Sequence, residues 1–150
     1  MTLKPKVISL LLCVLMFGCD NSRIFEKYQG METGSWNIAD TVSFDLPKIS
    51  ATDKAIVAIK YNDDYEFRNL YLTYILKDSL DLIIESQLLE IPLFDHKSGK
   101  PVGSGFGNTF TKYDTLPLSG IKPFIKIELL QYMRVDEIAG IEAVGVKFVK

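Results

Sequence analysis

Val144-Gly145-Val146-Lys147-Phe148 sets apolar side chains at every second position, with a glycine and a lysine between them. Successive side chains of a strand point to opposite faces, so a period of two marks a strand with one face on a core. The period recurs upstream. Val42, Phe44 and Leu46 alternate with Thr41, Ser43 and Asp45, and Ile125, Ile127 and Leu129 alternate with Lys126 and Glu128. Residues 55–61 and 70–76 are more continuously apolar and rich in β-branched and aromatic side chains, as in strands buried on both faces. In the second of these, Leu70, Leu72 and Tyr74 fall on one face and Tyr71, Thr73 and Ile75 on the other, as core and second-sheet positions would. Asn62-Asp63-Asp64 and Asp95-His96-Lys97-Ser98-Gly99-Lys100-Pro101 read as turns.

Residues 80–91 fit two periods. Leu80, Ile83, Ile84, Leu88 and Ile91 make a helical stripe with Ser79 as N-cap, while Leu80, Leu82, Ile84 and Leu88 share one face of a strand. Pro92 suits the interior of neither. Strand-like neighbours at hairpin spacing favour the strand. The chain therefore reads as all-β, and seven to eight short antiparallel strands imply an antiparallel β-sandwich without a substantial helix. Closure into a barrel is the alternative.

Toward the N-terminus the pattern changes. Lys4 and Lys6 precede residues 7–17, which are apolar apart from Ser9. That is a secretory leader, too short for the roughly 20 residues a spanning helix needs. It ends in Leu15-Met16-Phe17-Gly18-Cys19, which resembles the lipobox at which bacterial lipoproteins are lipidated and cleaved. Cys13 leaves with the leader, so the mature chain carries one thiol and no internal disulfide. We therefore expect a signal peptide over 1–18, lipidation at Cys19, a lipidated tether over 19–35 and a single domain over 36–150. Ile24, Phe25 and Tyr28 are spaced for one face of a helical turn, so part of the tether is expected to dock. Two acyl chains suffice for stable membrane attachment.

Two of the 17 basic residues leave with the leader, so 15 remain against 19 acids and the mature net charge is −4. No basic run points to nucleic acid. One histidine, His96, without cysteines in the mature domain cannot build an ordinary zinc site, and it reads as an exposed turn residue. Asp63 with Asp64, Asp78 with Asp81, and Asp136 with Glu137 are pairs close in sequence and read as solvated. No nucleophile elbow occurs, and no cofactor, metal or catalytic residue is expected. Gly103-Ser104-Gly105-Phe106-Gly107 lacks the following helix of a phosphate-binding loop, and such glycines mark a bulge, a bend or a close backbone approach. Trp36 and the tyrosines leave a sugar-stacking face open, although large aromatics in a sandwich are usually core.

Gln131-Tyr132-Met133-Arg134, then Ile138-Ala139-Gly140-Ile141 and Val144-Gly145-Val146, resembles the end of the gliding-motility lipoprotein family GldH. The leader, Trp36, Asn62-Asp63-Asp64-Tyr65-Glu66-Phe67 before Asn69-Leu70, and the glycine stretch agree in order. Glu66 stands where the family often has proline. The resemblance covers essentially the whole mature chain. It implies a non-enzymatic envelope lipoprotein serving gliding and type IX secretion, with the membrane and other envelope proteins as partners. Its expected place is the outer membrane, facing the periplasm, although Asp20 after the cysteine is an inner-membrane retention signal in some bacteria. Gly103, Gly105, Phe106, Gly107, Met133 and Arg134 are candidate structural or partner-contact positions. A lipid-anchored carbohydrate-binding module is the alternative function.

Overall fold

In the computed structural model of the chain the described residues are 22–50, 52–120 and 122–150. The leader and Cys19 lie outside them. Numbered in chain order, eleven strands occur among the described residues, with every pairing antiparallel. One sheet runs β1 (Arg23–Gly30), β11 (Ile141–Val149), β4 (Lys54–Asn62), β8 (Thr109–Thr115) and β7 (Ser104–Phe106). A second runs β3 (Val42–Asp45), β9 (Lys126–Gln131), β5 (Asn69–Lys77) and β6 (Ile83–Pro92). The pair β2 (Ser35–Asn37) and β10 (Glu137–Ala139) forms a small third sheet. The two larger sheets share one core, so the architecture is sandwich-like.

The alternating segments supply that core. Val146 and Phe148 from the first sheet, with Phe44, Leu72, Ile127 and Leu129 from the second, are essentially inaccessible. The Tyr61 hydroxyl donates to the Leu93 carbonyl at 2.6 Å, tying β4 to the chain beyond β6. Trp36 is sealed at 0% exposure, its Nε1 donating to the Asp40 carbonyl at 2.9 Å. Among the described residues no buried side-chain nitrogen or oxygen lacks a partner, so desolvation is compensated throughout.

Several expectations need correction. Among the described residues the strands number eleven, not seven to eight, because β2, β7 and β10 are three residues long, too short for alternation to register. The stretch expected as a tether enters the first sheet at Arg23 as edge strand β1, and Ile24, Phe25 and Tyr28 lie on a strand, not a helical turn. Phe25 meets Phe148 inside, with ring centroids 6.3 Å apart, while Tyr28 is 41% exposed. Residues 83–92 do form a strand, but with other faces than expected. Leu89 and Ile91 pair with Leu72 and Leu70 on the core side, whereas Leu80, Leu82 and Leu88 are exposed. The reason is that β6 is an edge strand whose inward row turns polar at Gln87 and Glu85, where residues 117–119 close over it. Nor is β5 buried on both faces, since nothing covers Tyr71 on its outer side.

The sandwich has two distinct ends. At one, β1 starts at Arg23 opposite Val149, β4 starts at Lys54, β5 ends at Lys77 and β9 starts at Lys126. Phe124 against Phe148 joins the two sheets there. At the other end lie the connections 31–34, 62–68, 93–103 and 132–136 and the turn of the β7–β8 hairpin.

Candidate functional site: an aromatic groove at one end of the sandwich

On the outer face of the second sheet, Tyr71, Thr73 and Ile75 of β5 lie opposite Glu90, Leu88 and Ser86 of β6. On the other flank, Thr73 lies opposite Leu130 of β9. Beyond β9 the Tyr132 amide donates to the Tyr71 carbonyl at 2.8 Å, extending the ladder by one residue before the chain turns. A buried amide shapes that turn. Gln131, 2% exposed, accepts from the Met133 amide at 2.7 Å and donates to the Val135 carbonyl at 3.2 Å. The Met133 sulfur in turn accepts from the Tyr71 amide at 3.3 Å. Both backbone groups of Tyr71 are thus held by the turn.

The result is a concavity of about 530 Å³ lined by Phe67, Tyr71, Leu88, Tyr132, Met133 and Arg134. Tyr132 is 63% exposed and Leu88 48%, while Met133 forms the floor at 9%. Aromatic and aliphatic walls beside one guanidinium suit an apolar segment that carries a carboxylate or carbonyl. Aromatics, Met and Arg are also the residue types enriched where proteins meet.

Of the positions singled out in the sequence, Met133 and Arg134 come together in this groove. Gly103, Gly105, Phe106 and Gly107 lie elsewhere, on the β7–β8 hairpin of the first sheet at the same end. Gly107, with φ +67°, opens the two-residue turn Gly107-Asn108 as a type II′ turn requires. Phe106 precedes it and is 96% exposed. At Gly105 a Cβ would lie 2.0 Å from the Thr109 carbonyl oxygen, so the absent side chain permits a close backbone approach. Sequence reasoning missed Phe67, Tyr71 and Leu88. The available signal was the outward parity of Tyr71, Thr73 and Ile75.

The acidic residues build turns. Asp95 accepts from the Ser98 amide and hydroxyl, both at 2.8 Å, and from the Lys97 amide at 3.1 Å. These bonds, those of Ser98 first, hold its carboxyl below the usual carboxylate range. Asp78 accepts from the Leu80 and Leu82 amides. His96 is exposed beside Asp95 in a shallow hollow of about 360 Å³ whose lining has no Ser, Thr, Cys or Lys. No group of three His, Cys, Asp or Glu among the described residues can hold a metal ion.

A second aromatic feature crosses the outer face of the first sheet. Tyr28, Gly145, Ala58 and Tyr113 form one cross-strand row. The Tyr28 ring fills the space over Gly145, where a Cβ would lie 2.4 Å from it, and its hydroxyl meets that of Tyr113 at 3.3 Å. Burial, then the bond to Tyr113, pushes the Tyr28 phenol up. The half-exposed tyrosines thus divide, Tyr28 and Tyr113 on one outer face, Tyr71 and Tyr132 on the other.

The model of the GldH lipoprotein family matches residues 23–148. Over 113 residues the chain is 30% identical to the gliding motility lipoprotein GldH of Flavobacterium johnsoniae, covering 74% of this chain and 67% of that protein. Over 97 residues it is 29% identical to the gliding motility lipoprotein GldH homolog of Christiangramia forsetii, covering 63% and 57%. The matched stretches therefore span about two-thirds or less of these relatives. Among solved structures, one of infectious bursal disease virus, Gx strain, aligns with 83% of this chain and 29% of its own at 12% identity, with a TM-score of 0.38. That score falls short of a shared fold. The family match, by contrast, runs from the start of β1 almost to the end of β11, and on it the chain belongs to the GldH lipoprotein family.

Proposed function

We propose that this protein is a non-enzymatic accessory component of gliding motility and of the type IX secretion coupled to it. It is held in the envelope by lipid on Cys19, at the periplasmic face of the outer membrane, and works by binding another envelope protein. Family membership supports the process. The observation that carries the mode of action is the groove, where Tyr71, Tyr132 and Arg134 stand open over a floor fixed by Gln131. Binding energy at such surfaces concentrates in a few aromatic and Arg anchors.

In a gliding host, deletion of the gene should stop colony spreading and reduce type IX secretion, and the wild-type gene should restore both. Complementation by His96→Ala or Asp63→Ala should match wild type, whereas Tyr132→Ala combined with Arg134→Glu should fail while the protein stays folded. A full loss with His96→Ala in a folded, anchored protein would instead demand an active site at the hollow. Radiolabelled palmitate should enter the wild type and not Cys19→Ala. The carbohydrate-binding alternative rests on the adjacent Tyr71 and Tyr132 rings, and saturable binding of an envelope glycan, lost in Tyr132→Ala, would favour it.

A further inference from the structure

Three residues separate Cys19 from Arg23, the first residue of β1. An extended chain advances at most about 3.5 Å per residue, so Arg23 lies within about 14 Å of Cys19 whatever path those residues take. With lipid on Cys19, the reading on which this inference rests, the end of the sandwich holding Arg23 must lie close to the headgroup layer.

That end carries a bare aliphatic cluster. The β5–β6 hairpin turns there through residues 78–82, and Leu80, Ile83 and Leu82 are 76%, 62% and 60% exposed. Ile125, whose amide bonds the Lys77 carbonyl at the foot of the hairpin, is 46% exposed. Leu82, Ile83 and Ile125 line one concavity with Pro123. On its core face the same hairpin seals Leu70 and Leu72 completely, so the bare side chains of the turn stand outside the core.

The turn is also built to leave water. Asp78 places its carboxylate on the Leu80 and Leu82 amides at 2.8 and 3.0 Å, satisfying backbone groups that an apolar surrounding would otherwise strand. Asp81 pairs with Lys126 at 3.2 Å and Lys77 at 3.7 Å, and Lys77 pairs with Glu128 at 2.8 Å. Asp81 and Glu128 are thus paired with lysines, and Asp78 is held by backbone amides. Lys54 and Lys122, exposed at the same end, offer ammonium groups at the height of lipid phosphates.

We infer that the 78–83 turn, together with Ile125, inserts its aliphatic side chains into the interface of the bilayer that holds the lipid anchor. The nine-residue β4 spans about 30 Å, so the groove is presented about that far from the membrane surface.

The test uses the full-length lipoprotein, reconstituted into vesicles of phosphatidylethanolamine and phosphatidylglycerol. Its own thiol is consumed by the thioether, so Leu82→Cys, or Glu66→Cys at the opposite end, takes one nitrobenzoxadiazole probe. At 82 the emission should shift to the blue, and nitroxide-bearing lipid should quench it severalfold more than at 66. Vesicles without other protein leave lipid as the one source of quenching. Water-like emission at both positions in palmitate-labelled protein would overturn the insertion while leaving the anchor intact. Stronger quenching at 66 would overturn the orientation. Absence of palmitate would remove the anchor itself, and this inference with it.

Discussion

The two ends of this sandwich hold their shape by different means. At the groove end, alongside the Asp95 cap of the 95–98 turn, backbone is brought against backbone. Gly140, at φ +78°, packs where a Cβ would meet the Tyr65 nitrogen at 2.2 Å, and Gly105 does the same against Thr109. Gln131 templates the 132–135 turn from inside. At the Arg23 end the same task falls to charged side chains: the Asp78 cap, the Lys77–Asp81–Lys126 pairs, and Glu85, which is bonded to Ser119 and to the buried Tyr74. A surface that must keep one shape for a partner needs the first kind of restraint. A surface that meets a fluid needs only exposed apolar groups on a firm turn.

Substitutions can break this contrast. Gly140→Ala should have the largest effect, about 3 kcal/mol or more in chemical denaturation, because a left-handed backbone and a clash with main chain act together. Gly105→Val should cost about 1–3 kcal/mol, read as a lower melting temperature. The β7–β8 hairpin is peripheral and can give way locally, so protease sensitivity should appear first near residues 103–111.

Glu85 tests the other end. Burial alone would raise its carboxyl, but bonds from Ser119 and Tyr74 outweigh burial and hold it below the usual range. A carboxyl lowered by folding contributes fully above its unfolded value, about 4.3, and the contribution fades as pH falls through the folded value. Glu85→Gln should thus cost about 1 kcal/mol at neutral pH and flatten the acid limb of a stability–pH curve. Smallest of all, Leu80→Ser with Leu82→Ser should change stability by no more than about 0.5 kcal/mol. A large loss there would mean that these side chains support the fold, and the contrast between the ends would fail.

Five strands were legible, three from alternation and two from continuous apolar runs: 42–46, 125–129 and 144–148, then 55–61 and 70–76, all lie in strands or run one residue beyond them. Edge strands were harder to read. In β1 the inward Phe25 is followed by Lys27, so no apolar row repeats, and in β6 the apolar residues outnumber the places a half-covered strand can bury. Met133 and Arg134 were visible through family likeness. The groove around them was not, because it depends on which face of β5 stays uncovered, and sequence parity separates two faces without saying which one has a neighbour.

β1 also sets how force enters the molecule. It is the described strand nearest to Cys19 in the chain and is paired with β11 at seven positions from Arg23 to Gly30, with the Tyr28 ring lying across Gly145. Tension between the lipid and a partner seated in the groove would pull β1 lengthwise past β11. Every bond of that ladder is then loaded in shear and must yield together, whereas a strand peeled sideways loses its bonds one at a time. Single-molecule pulling from position 19 against position 134 should show one high rupture, reduced when Tyr28→Ala removes the ring from the interface. On the proposed anchoring and partner, the edge strand would be a mechanical coupling between the two as well as the margin of a sheet.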